Sequence, residues 1–304
     1  MKTVLVTGGA GFIGSHLIEM LVKKNYQVRV LDNLSSGQRK WVSSAAEFIE
    51  GDVRNPDDCR RATKGVDGVF HLAAMSRVAP SLDNVDLATQ SNIVGTQNIL
   101  SAMRENGVRK IIYSGSSTYY GNQPVPQRED ETPPEFLNFY SLSKHVGGEY
   151  CMLFDRLYDI HAVVLRYFNA YGPRQPQEGA YALVLGIFLQ RWMRNEPLII
   201  HGDGSQRRDF VHVSDIARAN IMAYESPVRS AIFNVGSGTN ISIKELADLI
   251  SANQRHEERR KGDANETLAD ISRIKKAFDW QPTVNFTEGL LDMKERMKNG
   301  MERV

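Results

Sequence analysis

The sequence predicts an α/β protein built on a doubly wound parallel sheet, with a smaller, partly intertwined carboxyl-terminal substrate domain. Three observations predict it. Short apolar β-type runs alternate with longer helical patterns, a glycine-rich turn follows the first run directly, and the alternation loosens after Gly172.

The elements follow in order. TVLVT leads into a helix from about Gly11 to Lys24, and QVRVLD, FIEGD and GVFHL read as the next strands. A long helix from about Val85 to Glu105 precedes RKIIYS; a helix from about Tyr140 to Tyr158 precedes HAVVLRYF. Strands that are apolar without interruption are buried on both faces, which requires helices on both sides of a parallel sheet. Beyond Gly172 come a helix from Leu183 to Arg194, the strand-like LIIHG, FNVGSG and the amphipathic IKELADLI. These pieces are too few for a second sheet and are expected to cap the carboxyl edge of the first, leaving a cleft between. The division expected is 1–170 for the first domain and 171–304 for the second, with part of 206–226 returning to the first.

Composition narrows the function classes. A hydrophobic content of 41% supports a proper core, and a net charge of +1 provides no basic field for nucleic acid or anionic lipid. Cys59 and Cys151 lack metal-ligand spacing, so neither a metal nor a disulfide framework is expected and a reducing cytoplasm fits. The opening MKTVLVTGG reads as a strand rather than a signal segment, and no run approaches the roughly 20 apolar residues of a membrane span.

TGGAGFIG places Gly8, Gly11 and Gly14 between the first strand and its helix. Without side chains there, the backbone turns tightly and approaches a pyrophosphate whose charge meets the helix amino terminus. Asp32 closes the second strand about 20 residues on, completing the Rossmann-like dinucleotide signature. A carboxylate accepts from a ribose 2′-hydroxyl and repels a 2′-phosphate, and Asn33, Leu34, Ser35, Ser36 and Gly37 bring no arginine after it, so NAD is favoured over NADP. Asp52 of GDVRN suits an adenine amino group, and the small Ala73 and Ala74 of HLAA leave room for the cofactor; His71 reads as a packed residue. Tyr140 and Lys144 of YSLSK share one helix face by their i, i+4 spacing. The hydroxyl run YSGSSTYYG closes the fifth strand, which brings Ser116 to the same mouth.

The chain resembles the extended short-chain dehydrogenase/reductase family, specifically its NAD-dependent nucleotide-sugar epimerases and dehydratases. The resemblance spans almost the whole chain, through TGGAGFIGSHL, LDNLSSG, GDVRN, HLAA, NIVGTQNIL, YSGSSTYYG, YSLSK, LRYFNAYGPR, GDGSQRRDFVHVSDIA, FNVGSG and RKGDANETLADISRIKKAF. It implies NAD contacts from Gly8, Gly11, Phe12, Ile13, Gly14, Asp32, Asn33, Ser35, Ser36, Gly37, Asp52, Val53, Leu72, Ala73, Ala74, Asn92, Ser114, Tyr140, Lys144 and Phe168. It implies a catalytic set of Ser116, Tyr140 and Lys144, and substrate contacts from Ser116, Asn169, Arg208, Arg260, Asp263 and Thr267. Dehydrating and decarboxylating relatives carry acidic residues after the catalytic hydroxyl, where this chain has Ser117 and Thr118.

The activity so implied is 4-epimerisation of a UDP-hexose through a transient 4-keto sugar, with Tyr140 taking the 4-hydroxyl proton. A small Thr267 leaves room for N-acetylated sugars as well. Ser76 and Gly186 stand where many 4-epimerases have lysine and proline, and a shortened segment leaves open whether Arg259 or Arg260 is the uridine-side arginine. Two further readings stay open: a C4 dehydrogenase or ketoreductase on a GDP- or dTDP-sugar, and an NAD-sensing regulator. The resemblance also implies a homodimer through paired helices, with Ile93, Ile99, Leu100, Val146, Leu153 and Leu157 as interface candidates.

Overall fold

The computed structural model describes residues 1–177, 182–258 and 264–300. Strands β1 (Thr3–Thr7), β2 (Gln27–Asp32), β3 (Glu47–Glu50), β4 (Gly68–His71), β5 (Lys110–Ser116) and β6 (His161–Tyr167) interleave with helices α1 (Phe12–Lys23), α2 (Pro56–Thr63), α3 (Val78–Asp83), α4 (Val85–Thr89), α5 (Gly95–Glu105) and α6 (Phe139–Tyr158). The second half supplies β7 (Asn169–Tyr171), α7 (Val184–Met193), β8 (Leu198–His201), β9 (Arg207–Arg208), β10 (Phe210–His212), α8 (Val213–Glu225), β11 (Ala231–Val235), β12 (Ile241–Ser242), α9 (Ile243–Ile250), β13 (Gln254–Glu257), α10 (Ser272–Phe278) and α11 (Phe286–Lys298).

Seven strands form one parallel sheet in the order β11-β6-β5-β4-β1-β2-β3. Strand order reverses between β1 and β4, so a crevice opens at their carboxyl ends. Alternation along β1 sorts its side chains: Val4 and Val6 join a core with Leu17 and Ile18 of α1 and Ile216 and Ala217 of α8. Leu5 faces the opposite core, with Cys59 of α2, Ile99 and Met103 of α5 and Cys151 of α6. Helix α8 thus packs beside α1 on the first-half sheet, and β11 extends that sheet past β6. A third core joins α7, β8, α9 and α11 through Phe188, Ile200, Leu246 and Met293.

Buried Asp215 ties the carboxyl-terminal segment to α8. Its carboxylate accepts from the Thr283 and Val284 N–H groups, from the Thr283 hydroxyl at 2.6 Å and from Arg218 at 2.7 Å. The Asp215 carbonyl also accepts from the fully buried Trp280 indole.

Two expectations change. The helix predicted from Val85 to Glu105 is interrupted by a π turn at Gln90–Val94. Ile99 and Leu100, candidates for an intermolecular face, are fully buried within the chain, because α5 packs them onto α2 and the sheet.

Candidate active site

A cleft of about 590 Å³ runs along the carboxyl ends of β1, β2, β4, β5 and β6 and reaches α7, β8 and β9. Gly8 begins it in a left-handed conformation, φ +70°, where an added Cβ would lie 2.7 Å from the Ala73 nitrogen. A Cβ on Gly14 would lie 2.3 Å from the Gly8 carbonyl oxygen, so only glycines let α1 start this close to β1. Gly11 caps α1 without a side-chain hydrogen bond, leaving the helix amino terminus to an anion.

Asp32 forms the next wall. Its carboxylate accepts from the Ala10 N–H at 2.9 Å and the Leu34 N–H at 2.8 Å, while burial pushes its carboxyl above the ordinary value. Burial also works against charge on Asp52, but the Arg54 guanidinium and N–H and the Asn33 amide carry that carboxyl down to about 2. A glycine cradle a Cβ would fill, an uncapped helix terminus and a carboxylate at the second strand fit a dinucleotide.

The hydroxyl run divides by role. Ser114, Ser116, Ser117 and Thr118 line the cleft, with Ser116 Oγ 2.9 Å from Thr118 Oγ1. Tyr113 is buried under α6, donating to the Lys144 carbonyl at 3.1 Å. Tyr120 donates to Asn234, and the Arg166 guanidinium lies 3.6 Å from the Tyr119 ring centroid.

Tyr140 and Lys144 open onto the same cleft. Burial pushes the Tyr140 phenol up, opposed by the neighbouring Ser116 hydroxyl and by the positive charge of Arg77. Lys144 is 5% exposed, and its ammonium lies 4.4 Å from the Tyr113 ring centroid. Burial pushes that ammonium down to about 7. In the unfolded chain a lysine titrates near about 10.4, so between about pH 7 and pH 10 the unfolded state binds more protons and stability rises with pH. Lys144→Met is expected to flatten that rise in thermal melts of the unliganded protein while lowering turnover; parallel pH curves for variant and wild type would contradict it.

Most predicted contacts converge here: Phe12, Ile13, Asn33, Ser35, Ser36, Val53, Leu72, Ala73, Ala74, Phe168, Asn169, Arg208 and Thr267 all line the cleft. Gly37 and Asn92 do not. Gly37 lies against the Ala10 backbone, where a Cβ would be 2.6 Å from a carbonyl carbon. Asn92 is buried in the π turn with its amide committed to the Met75 backbone and to Ser143 Oγ, so it clamps the loop after β4 to α6. Arg260 and Asp263 lie outside the described residues. Thr267 Oγ1 accepts from Asn169 Nδ2 and the Asp209 N–H, both at 3.2 Å. His71 is packed as expected: it lies between Thr7 and Thr96, and burial lowers its pKa to about 3.

Sequence reasoning missed Arg77, Arg54 and His201, which also line the cleft. Arg77 immediately follows Ser76, so a basic residue two places after HLAAM was the available signal.

The profile described as the NAD dependent epimerase/dehydratase family matches residues 4–236. The chain belongs to that family. The family assignment, the Rossmann-like fold and the NAD dependence expected from the sequence therefore hold. Within the family, a UDP-glucose 4-epimerase of Mycolicibacterium smegmatis is 34% identical, over 98% of this chain and 99% of its own. The crystal structure of the Thermotoga maritima UDP-glucose 4-epimerase with UDP-glucose superposes with a TM-score of 0.94 at 35% identity, covering 99% of this chain and 100% of that one. The Thermus thermophilus UDP-glucose 4-epimerase complex with NAD gives 0.91 at 32% identity, covering 97% and 99%. Family members with other names are as similar, including a UDP-glucuronate 4-epimerase of Thermodesulfobacterium geofontis at 32% (100% and 98% covered) and a UDP-N-acetyl-alpha-D-glucosaminuronate decarboxylase of Bacillus cytotoxicus at 31% (95% and 95%). No described helix is long and apolar enough to cross a membrane, and no three described His, Cys, Asp or Glu residues form a metal-binding group.

Proposed function

We propose that this family member is an NAD-dependent UDP-hexose 4-epimerase, acting on UDP-glucose and UDP-galactose and also on N-acetylated forms. One observation carries the reading: among the described residues, the only carboxylates lining the cleft are Asp32 and Asp52. Both lie at the β2–β3 side, separated from Ser116 on β5 by the intervening strands β4 and β1. Elimination of water needs a general acid beside the sugar, and Ser117 and Thr118 provide none. Ser116, Tyr140 and Lys144 remain, which equips the site to take a proton from an alcohol and return it.

The glycine turn, the α1 amino terminus and Asp32 would hold NAD, which supplies reversible two-electron oxidation at the sugar carbon when bound. Tyr140 takes and returns the 4-hydroxyl proton, Ser116 hydrogen-bonds the phenol, and Lys144 in its charged form favours the phenolate. Arg208 suits the diphosphate through its guanidinium fork. Thr267, held by Asn169 and the Asp209 backbone, leaves space that an aromatic ring would fill.

The decisive assay incubates purified protein with UDP-glucose or UDP-N-acetylglucosamine without added cofactor. Interconversion of the C4 epimers without net NADH is expected. A 4-keto product in stoichiometry with added NAD would instead favour a dehydrogenase, and tight NAD binding without turnover a sensor.

We further propose a cytoplasmic homodimer. Both cysteines are free and buried, consistent with a reducing compartment. Phe139, Leu142, Leu153 and Leu157 are exposed along α6, as are Leu82 of α3 and Val85 of α4. An apolar surface of this kind suits a self-complementary partner. Light scattering at micromolar concentration is expected to give twice the chain mass; a single-chain mass would exclude the dimer.

A further inference from the structure

Charge is distributed unevenly along the cleft. Asp32 and the Asp52–Arg54 pair occupy the β2–β3 side, whereas Arg77 and Lys144 flank Tyr140 with no described carboxylate in that wall. Lys144 is committed to the proposed proton transfer. Arg77 has no part in it as described above.

Its position follows from two backbone contacts. Arg77 is the amino-terminal cap of α3, and one of its guanidinium nitrogens donates to the Ser76 carbonyl at 3.0 Å. One turn further on, Ser81 Oγ accepts from the Tyr140 N–H at 3.1 Å while donating to the Val78 carbonyl at 2.6 Å. The start of α3 is therefore pinned against the start of α6, and the arginine enters the cleft beside the proposed proton acceptor. The effect of its charge on the Tyr140 phenol agrees with this proximity.

Two anions of the proposed reaction are poorly placed for Arg77. In a pyranose, C1 and C4 are opposite corners, so a sugar whose C4 faces Tyr140 carries its diphosphate away from this cation. The cofactor pyrophosphate belongs at the Gly8–Gly14 turn, at the end of β1. What does lie beside C4 is whatever C3 or C5 carries. Resting on the 4-epimerase reading, we propose that Arg77 is a specificity residue for a nucleotide sugar bearing a carboxylate next to C4, either as a uronate at C5 or on a short ether arm at O3. A guanidinium pairs with such a carboxylate through two parallel hydrogen bonds, and neutral hydroxyls cannot replace the charge.

The test uses the NAD-loaded enzyme and three probes: UDP-glucose, UDP-glucuronic acid for the C5 carboxylate, and UDP-N-acetylmuramic acid for the O3 arm. Binding is read by calorimetry and turnover by product analysis. A charged hydrogen-bonded pair in a partly exposed site corresponds to about tenfold to a hundredfold. At least one acidic sugar should therefore bind that much more tightly than UDP-glucose, and the margin should shrink at raised ionic strength. Arg77→Met should abolish the preference, and Arg77→Lys should keep part of it; which acidic probe responds identifies the carbon. Acidic sugars that bind no better than UDP-glucose, or an Arg77→Met variant that weakens all three alike, would overturn the assignment. Acidic-sugar preference without epimerisation would reject the reaction while keeping the role of Arg77; epimerisation without preference would do the reverse.

Discussion

Tyr140→Phe is expected to bind NAD and UDP-sugar nearly as wild type does and to lose about 10²-fold to 10⁴-fold in turnover, the range for removing a general base. The phenol oxygen is the only atom removed. Phenylalanine keeps the ring in its part-buried position on the cleft wall, and the backbone link from Tyr140 to Ser81 is untouched. Ser116 alone cannot replace the lost group, because a serine hydroxyl is a far weaker acid than a phenol and its oxygen is already shared with Thr118. Equilibrium binding of both ligands, measured beside single-turnover kinetics, separates chemistry from affinity. Wild-type turnover in the purified variant would remove Tyr140 from the mechanism.

Asp215→Ala is expected to give the largest loss of stability, about 3–5 kcal/mol. The substitution leaves Arg218 without its acid partner and strands the Thr283 and Val284 N–H groups in a part-buried position. For a chain of this length that corresponds to a fall of about 5–8 °C in thermal midpoint. Asp215 lies outside the cleft wall, so the fraction that remains folded should keep its affinity for nucleotide sugar. A midpoint within about 1 °C of wild type would show that the carboxyl-terminal segment is held by packing alone.

Features governed by short-range chemistry were legible in the sequence. The turn at Gly8–Gly14 is local, Asp32 ends an apolar strand, and Tyr140 and Lys144 are neighbours on one helix, so each needs no knowledge of distant contacts. His71 was also legible, because an imidazole at the end of an apolar strand has little access to water. Asn92 was given a cofactor contact by the family resemblance, and the partners of its amide are not visible in a sequence. Its amide is satisfied by Met75 and by Ser143, far along the chain. Ile99 and Leu100 were read as surplus for a related reason: the layer that covers them, α2, lies in the charged PDDCRRAT segment, whose apolar positions are few. Arg77 belongs to the loop after β4, and its place beside Tyr140 emerges only when α3 meets α6.

The position of β11 bears on how the chain must assemble. This strand completes the sheet beside β6, yet it is synthesised only after β7 through α8. Until then β6 offers an unpaired edge, and the core lacks Phe233 and Val235. Pairings between segments so distant in sequence close slowly and leave aggregation-prone edges exposed in the meantime. The cofactor-binding sheet is thus a late product of translation, and cutting the chain between its halves would leave both with an unfinished surface.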